Sequence, residues 1–128
     1  MNKEAPAGLS VTKIVENLDG EAPLEQKEFT FVLRHKETTE EQYRPVGDAV
    51  YSIEAGTSQN TYRTDTEGQF TLRANETARF TGLSPGDYQV EELDPGYEYE
   101  AKEEVLEGTL GESGDNVRFT FINQYTAK

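Results

Sequence analysis

The chain has no cysteine, a single histidine, and fewer than half as many basic residues as acidic ones. Without cysteine there is no disulfide, thiolate metal site, thiol nucleophile or Cys-derived thioester. An extracellular home is not excluded by this, but any covalent staple must use other chemistry. Lys and Arg number 12 against 25 Asp and Glu, a formal net charge of −13. That surface repels a nucleic-acid backbone and an anionic membrane alike, and no basic stripe offsets it. Long hydrophobic runs are also missing, so no segment reads as a membrane span or a signal-peptide core. An acidic chain invites calcium, yet no D-x-[DN]-x-[DN]-G loop is present. "TDTEGQF" reads instead as a solvated hairpin turn around Glu67 and Gly68. His35 has no recognisable Ser or Asp partner motif and reads as a strand-end surface residue. Carboxylate pairs could be assembled from 25 acids in many ways, which leaves them without signal. No cofactor and no metal site is expected, nor is turnover of an external substrate.

What is present is a β pattern. The 128 residues suit one domain with a single core. Seven Tyr, six Phe and many Thr and Val favour strands. Alternation marks strands at "LSVTKIV" (9–15), "EFTFVLRH" (28–35), "AVYSIEA" (49–55), "DYQVEEL" (87–93) and "NVRFTFINQY" (116–125). "TYRTDTEGQFTLRA" reads as a hairpin, and "ETARFTGL" leads into the turn "SPGD". "DPGYEYEAKEEVLEG" has no clear period and fits either a strand or a short helix in a loop. Short strands at this spacing, separated by Gly and Pro turns, predict an all-β two-sheet sandwich. Residues 1–8 read as a leader or linker, 9–125 as the domain and 126–128 as a tail.

Three strands each aim one polar group at an apolar face. In the last, Phe119, Phe121, Asn123 and Tyr125 share a side, which puts an amide in a row of rings. In the first, Leu9, Val11, Lys13 and Val15 share a side. In "DYQVEEL", Tyr88, Val90 and Glu92 face one way and Glu91 the other. A β-bulge would shift any of these parities by one and make Glu91 the inward acid.

Burial gives such a trio a chemistry. A buried Lys tends to lose its proton and a buried Glu to gain one. A neutral amine is a nucleophile, and the amide carbon is its electrophile. A protonated carboxyl bonded to the amide oxygen would stabilise the developing oxyanion and shuttle a proton to the leaving nitrogen. The product would be a Lys13–Asn123 amide cross-link, with ammonia released. The same pattern also fits a buried Lys–Glu ion pair with Asn satisfying spare hydrogen bonds, or a Lys13 that snorkels out at a sheet edge.

At these residues the chain resembles a known family, the B-type (CnaB-like) domains of Gram-positive collagen-binding adhesins and pilins. The resemblance lies in "LSVTKIV", "TDTEGQFTL", "ARFTGLSPGDYQVEELDPGY" and "FTFINQY", in that order and over nearly the whole domain. Its most distinctive part is the G-x-Y-x-V-x-E segment followed by P-G-Y, Gly86 through Tyr97. "KEFTFVL" is similar to an early strand of streptococcal-type pilin domains. The resemblance implies an immunoglobulin-like sandwich with an internal isopeptide bond. It carries the reacting Lys onto Lys13, the catalytic acid onto Glu92 and the Asn onto Asn123. It also implies a cell-wall-anchored surface protein or pilus, with neighbouring domains or pilin subunits as partners. No "YPK"-like or "LPxTG"-like segment is present, so the chain reads either as one domain of a longer protein or as one whose polymer-building parts lie elsewhere, pilin and adhesin stalk both remaining open.

A cross-link between residues 110 positions apart would carry tension across the fold and resist proteolysis. A different class of function is an adhesin module that binds host matrix or glycan. It would use loops 36–48 or 102–116, or Tyr43, Tyr51, Tyr62, Tyr97 and Tyr99, although Tyr in a sandwich is commonly core.

Overall fold

The computed structural model describes residues 8–19, 27–37, 39–55, 58–96, 98–111 and 116–126. Among them the strands are β1 (Gly8–Asp19), β2 (Phe29–Lys36), β3 (Arg44–Pro45), β4 (Val50–Ala55), β5 (Ser58–Arg63) and β6 (Gln69–Leu72). β7 (Thr77–Thr81), β8 (Gly86–Glu92), β9 (Tyr99–Ala101), β10 (Val105–Leu110) and β11 (Asn116–Thr126) follow. One sheet has the order β5-β4-β7-β1-β11-β9. The other runs β10-β8-β2-β3, with β6 also pairing with β2. The two inner faces pack as a sandwich, as the alternation predicts.

Side chains alternate between core and surface along the strands that matter. In β11 Phe119, Phe121, Asn123 and Tyr125 are buried while their neighbours are not. In β8 every second residue from Gly86 to Glu92 is buried. Aromatic rings fill the upper core: Phe31, Tyr51, Phe70 and Phe80 meet with centroids 5.0–5.6 Å apart. These offset and edge contacts suit the ring quadrupoles.

β1 and β11 are parallel neighbours in the middle of their sheet, Gly8 opposite Asn116 and Asn17 opposite Tyr125. The chain therefore enters the sandwich at one end and leaves it at the other. Only at Asn17–Asp19 does the register slip. β8 keeps continuous register with both β2 and β10, so no bulge reverses its parity.

One sequence expectation needs correction. The "TYRTDTEGQFTLRA" segment is not a hairpin of paired strands, because β5 pairs with β4 while β6 pairs with β2 in the other sheet. Buried Thr64 ends the first pairing: its hydroxyl accepts from Ala49 N and donates to Val46 O. Asp65 Oδ1 then accepts from Glu67 N and Gln69 N and turns the chain across to the second sheet. Gly68, at φ +79°, completes the corner, and a Cβ there would lie 2.5 Å from Leu33 O. The turn chemistry was legible, but which sheet receives the next strand depends on partners far away in sequence. The segment of unclear period after Asp94, open between a strand and a short helix, takes the strand reading. Among its described residues there is no helix; it forms β9 in one sheet and β10 in the other. Residues 1–7 of the expected leader, Tyr97 and residues 127–128 lie outside the described residues.

The "SPGD" turn is held by its own strand. The Tyr88 phenol donates to Ser84 O at 2.5 Å, and burial pushes its pKa up to about 12. Gly86 follows at φ +139°, where a Cβ would meet His35 Nε2 at 2.5 Å. This close approach gives the glycine of the G-x-Y motif a steric reason.

Candidate functional site: a buried Lys–Glu–Asn trio

Lys13, Glu92 and Asn123 come from β1, β8 and β11, and their side chains meet between the sheets. Lys13 and Asn123 are 0% exposed and Glu92 is 5% exposed. Lys13 Nζ lies 3.0 Å from Glu92 Oε2. Asn123 Nδ2 donates to the same oxygen at 2.9 Å. Both nitrogens that would exchange places on a carbonyl carbon thus touch one carboxyl oxygen.

Each strand fixes its member for a separate reason. In the parallel register Lys13 stands opposite Phe121 and Val15 opposite Asn123, so the two side chains are diagonal neighbours on one face. The backbone of Lys13 is sealed by the turn just before β7: its N–H bonds Glu76 O, and its carbonyl accepts from Asn75 N. Glu92 stands opposite Phe31, and its N–H bonds Glu104 O at 2.8 Å. Asn123 stands opposite Ala101 of β9.

The surroundings are apolar. Lys13 Nζ sits 4.5 Å from the centre of the Phe29 ring. Phe29 meets Tyr99 edge-on, and Tyr99 tilts against Tyr125. Phe31 and Phe121 pack together with centroids 5.1 Å apart. Burial drives the Lys13 amine below its ordinary range, against the pull of the Glu92 charge. It pushes the Glu92 carboxyl upward, against the pull of Lys13 and the hydrogen bond from Asn123. Both directions shift the balance from the ion pair toward the neutral pair, amine beside carboxylic acid.

Several polar atoms here are unsatisfied. Lys13 Nζ, Glu92 Oε1 and Asn123 Oδ1 are buried without a well-directed hydrogen bond. Buried polar groups are normally paired, and such exceptions mark strain or chemistry. Turning the Asn123 amide over would bring Oδ1 to the carboxyl, where a protonated Glu92 can donate to it.

Glu91, the alternative acid, points the other way. Its Oε1 accepts from Arg34 at 2.8 Å, in a pair open to solvent. The Tyr residues do not form one exposed patch: Tyr51 and Tyr99 are core, and Tyr62 is exposed and stacks on Tyr51. His35 packs on Tyr88 and contacts Pro85 O. Among the described residues no group of three His, Asp or Glu is arranged to hold a metal ion. The pattern reading did not single out Phe29, although its place in the alternation of "EFTFVLRH" makes it inward-facing. Nor did it single out Ala101 and Glu104, which lie where the period is unclear.

The fold has solved counterparts. A pilus-presented adhesin (Cpa) aligns over 95% of this chain and 28% of its own, at 18% identity and a TM-score of 0.59. The major pilin of Streptococcus pyogenes aligns over 94% of this chain and 48% of its own, at 23% identity and a TM-score of 0.59. The T3.2 major pilin of the same species gives 95%, 46%, 23% and 0.59 in the same order. The chain thus spans less than half the length of each of these structures. At these identities the likeness is one of fold, and it agrees with the CnaB-like sandwich expected from the motifs. No curated protein matches the sequence. A family described as Domain of unknown function (DUF7601) matches residues 7–125, almost the whole chain, and the protein belongs to that family.

Proposed function

We propose that this domain is a structural module of a Gram-positive surface protein, a stalk or pilin unit, locked by an isopeptide bond between Lys13 and Asn123. The observation that carries the reading is the shared oxygen: Glu92 Oε2 contacts both Lys13 Nζ and Asn123 Nδ2 in an enclosed site. Neutral Lys13 attacks Asn123 Cγ while the Glu92 proton is held by Oδ1, which stabilises the tetrahedral oxyanion. Glu92 takes a proton from Nζ and delivers one to the departing nitrogen. One amide bond forms, one breaks, and ammonia leaves. The event happens once per molecule, so the catalysis is self-directed. Alignment on fixed strands supplies effective molarity of about 10⁵ M or more.

The topology suits a mechanical role. β1 and β11 are the first and last strands, lie side by side, and lead to opposite ends of the sandwich. Tension along the chain would cross from Lys13 to Asn123 and bypass everything between them. Closing a loop of 110 residues stabilises by about 5 kcal/mol on the chain-entropy estimate. The fold's likeness to pilin and pilus-adhesin structures supports, within this reading, a pilus or cell-wall location and docking to neighbouring domains or subunits.

Intact mass of the denatured chain tests the reaction, beside the Glu92→Ala variant. The expected result is a wild-type mass low by one ammonia, a variant at full mass, and a branched peptide joining Lys13 to Asn123. A wild-type chain at full mass would leave Lys13 and Glu92 as a buried ion pair and sink the proposal.

A further inference from the structure

The reaction proposed above makes ammonia in a place closed to solvent, and ammonia must get out for the bond to persist. β9 stops after three residues at Ala101, directly opposite Asn123. The chain then crosses the open edge of the sandwich through Lys102–Glu104 and enters β10 in the other sheet. This strap is pinned at both ends: Lys102 N bonds Ile122 O beside Asn123, and Glu104 O accepts from Glu92 N. Against it lies a cleft of about 300 Å³ bounded by Glu91, Glu92, Leu93, Asp94, Ala101 and Glu104. The cleft therefore touches one member of the trio and the residue facing another. Glu92 is buried there, and its Oε1 has no hydrogen-bond partner.

We propose that this cleft, between the end of β8 and the strap after β9, is the exit site for the ammonia leaving group. The proposal rests on the isopeptide reading. Ammonia released from Asn123 Cγ passes Ala101, the small side chain at the inner wall, and takes a proton from solvent to become ammonium beside Asp94 and Glu104. Ammonium has no lone pair, so capture in this form prevents return attack on the new amide. The negative cleft also favours the proton on Glu92, which the Glu104 charge pushes upward in pKa.

The test follows ammonia loss by time-resolved intact mass after cell-free synthesis, with circular dichroism to confirm folding. The variants are Ala101→Gly, Ala101→Val, Ala101→Leu and Glu104→Gln. Filling the cleft should slow ammonia loss in order of size, by about tenfold for Leu, while Gly keeps the wild-type rate. Glu104→Gln should move the alkaline limb of the rate profile to lower pH, because the last proton of the trio is held less tightly. The Val variant, a smaller change, keeps the series informative if Leu does not fold. Folded variants that all react at the wild-type rate, with Glu104→Gln unchanged in pH profile, would overturn the exit site and leave the isopeptide reading intact. A wild-type chain that never loses ammonia would overturn both.

Discussion

Two ion pairs sit on β8 one residue apart, and they differ chiefly in burial. Glu91 meets Arg34 at 2.8 Å on the outer face, with about a third of each side chain exposed. Glu92 meets Lys13 at 3.0 Å on the inner face, with both side chains wholly enclosed. Distance is nearly the same, so distance does not separate their chemistry. Outside, water screens both charges and the pair contributes little. Inside, desolvation works against both charges, and a proton transfer that removes them yields a nucleophile and an acid. The strand's two-residue period assigns neighbouring carboxylates to these different roles.

The largest effect should come from breaking the inner site without disturbing its ion pair. Asn123→Ala removes the electrophile and leaves Lys13 and Glu92 facing each other. Denaturant unfolding should show a loss of about 5 kcal/mol from the missing cross-link, beyond any packing effect. A variant as stable as the wild type would mean that the bond contributes nothing. Next in size is the apolar upper core, which the comparison treats as passive. Phe80→Ala, in the ring cluster against Tyr51 and Phe70, should destabilise by about 3–5 kcal/mol, yet still lose one ammonia on folding. Failure of that variant to cross-link once folded would tie the chemistry to the whole core rather than to the trio.

A subtler probe is pH. The reactive state, amine beside acid, holds the same number of protons as the ion pair, so the rate should plateau at intermediate pH. On the acid side a second proton blocks the amine; on the alkaline side loss of the last proton removes the acid. Burial lowers Lys13 from 10.5 and raises Glu92 from 4.5, so both limbs should fall inside that interval. Rates constant across the whole interval would contradict the burial effect. The smallest change should come from Glu91→Gln on the outer face. It should alter stability by about 1 kcal/mol or less and leave the mass loss complete. A chain stalled at full mass in that variant would show that the outer carboxylate takes part after all.

The site was legible to an unusual degree because strand periodicity needs only local residues. Lys13, Glu92 and Asn123 each break an apolar face, and in the structure each is buried where the parity put it. Other parts resisted reading. The turn at Asp65–Gln69 has the composition of a hairpin, yet its flanking strands belong to different sheets. The segment after Asp94 has no clear period because it is divided between two short edge strands and a crossing. Edge strands are half-solvated, so their alternation is weak.

By itself the sequence determined the β class, the inward faces of the central strands, and the three residue types able to react. Those follow from the two-residue repeat and from the absence of cysteine, neither of which needs a partner to be read. Only the tertiary structure decided that the three side chains converge on one carboxyl oxygen and that β1 lies parallel to β11. It also decided that a strap with an acidic cleft closes the site's edge. Parity tells which way a side chain points, but which strands lie next to one another is set by the packing of segments far apart in the chain.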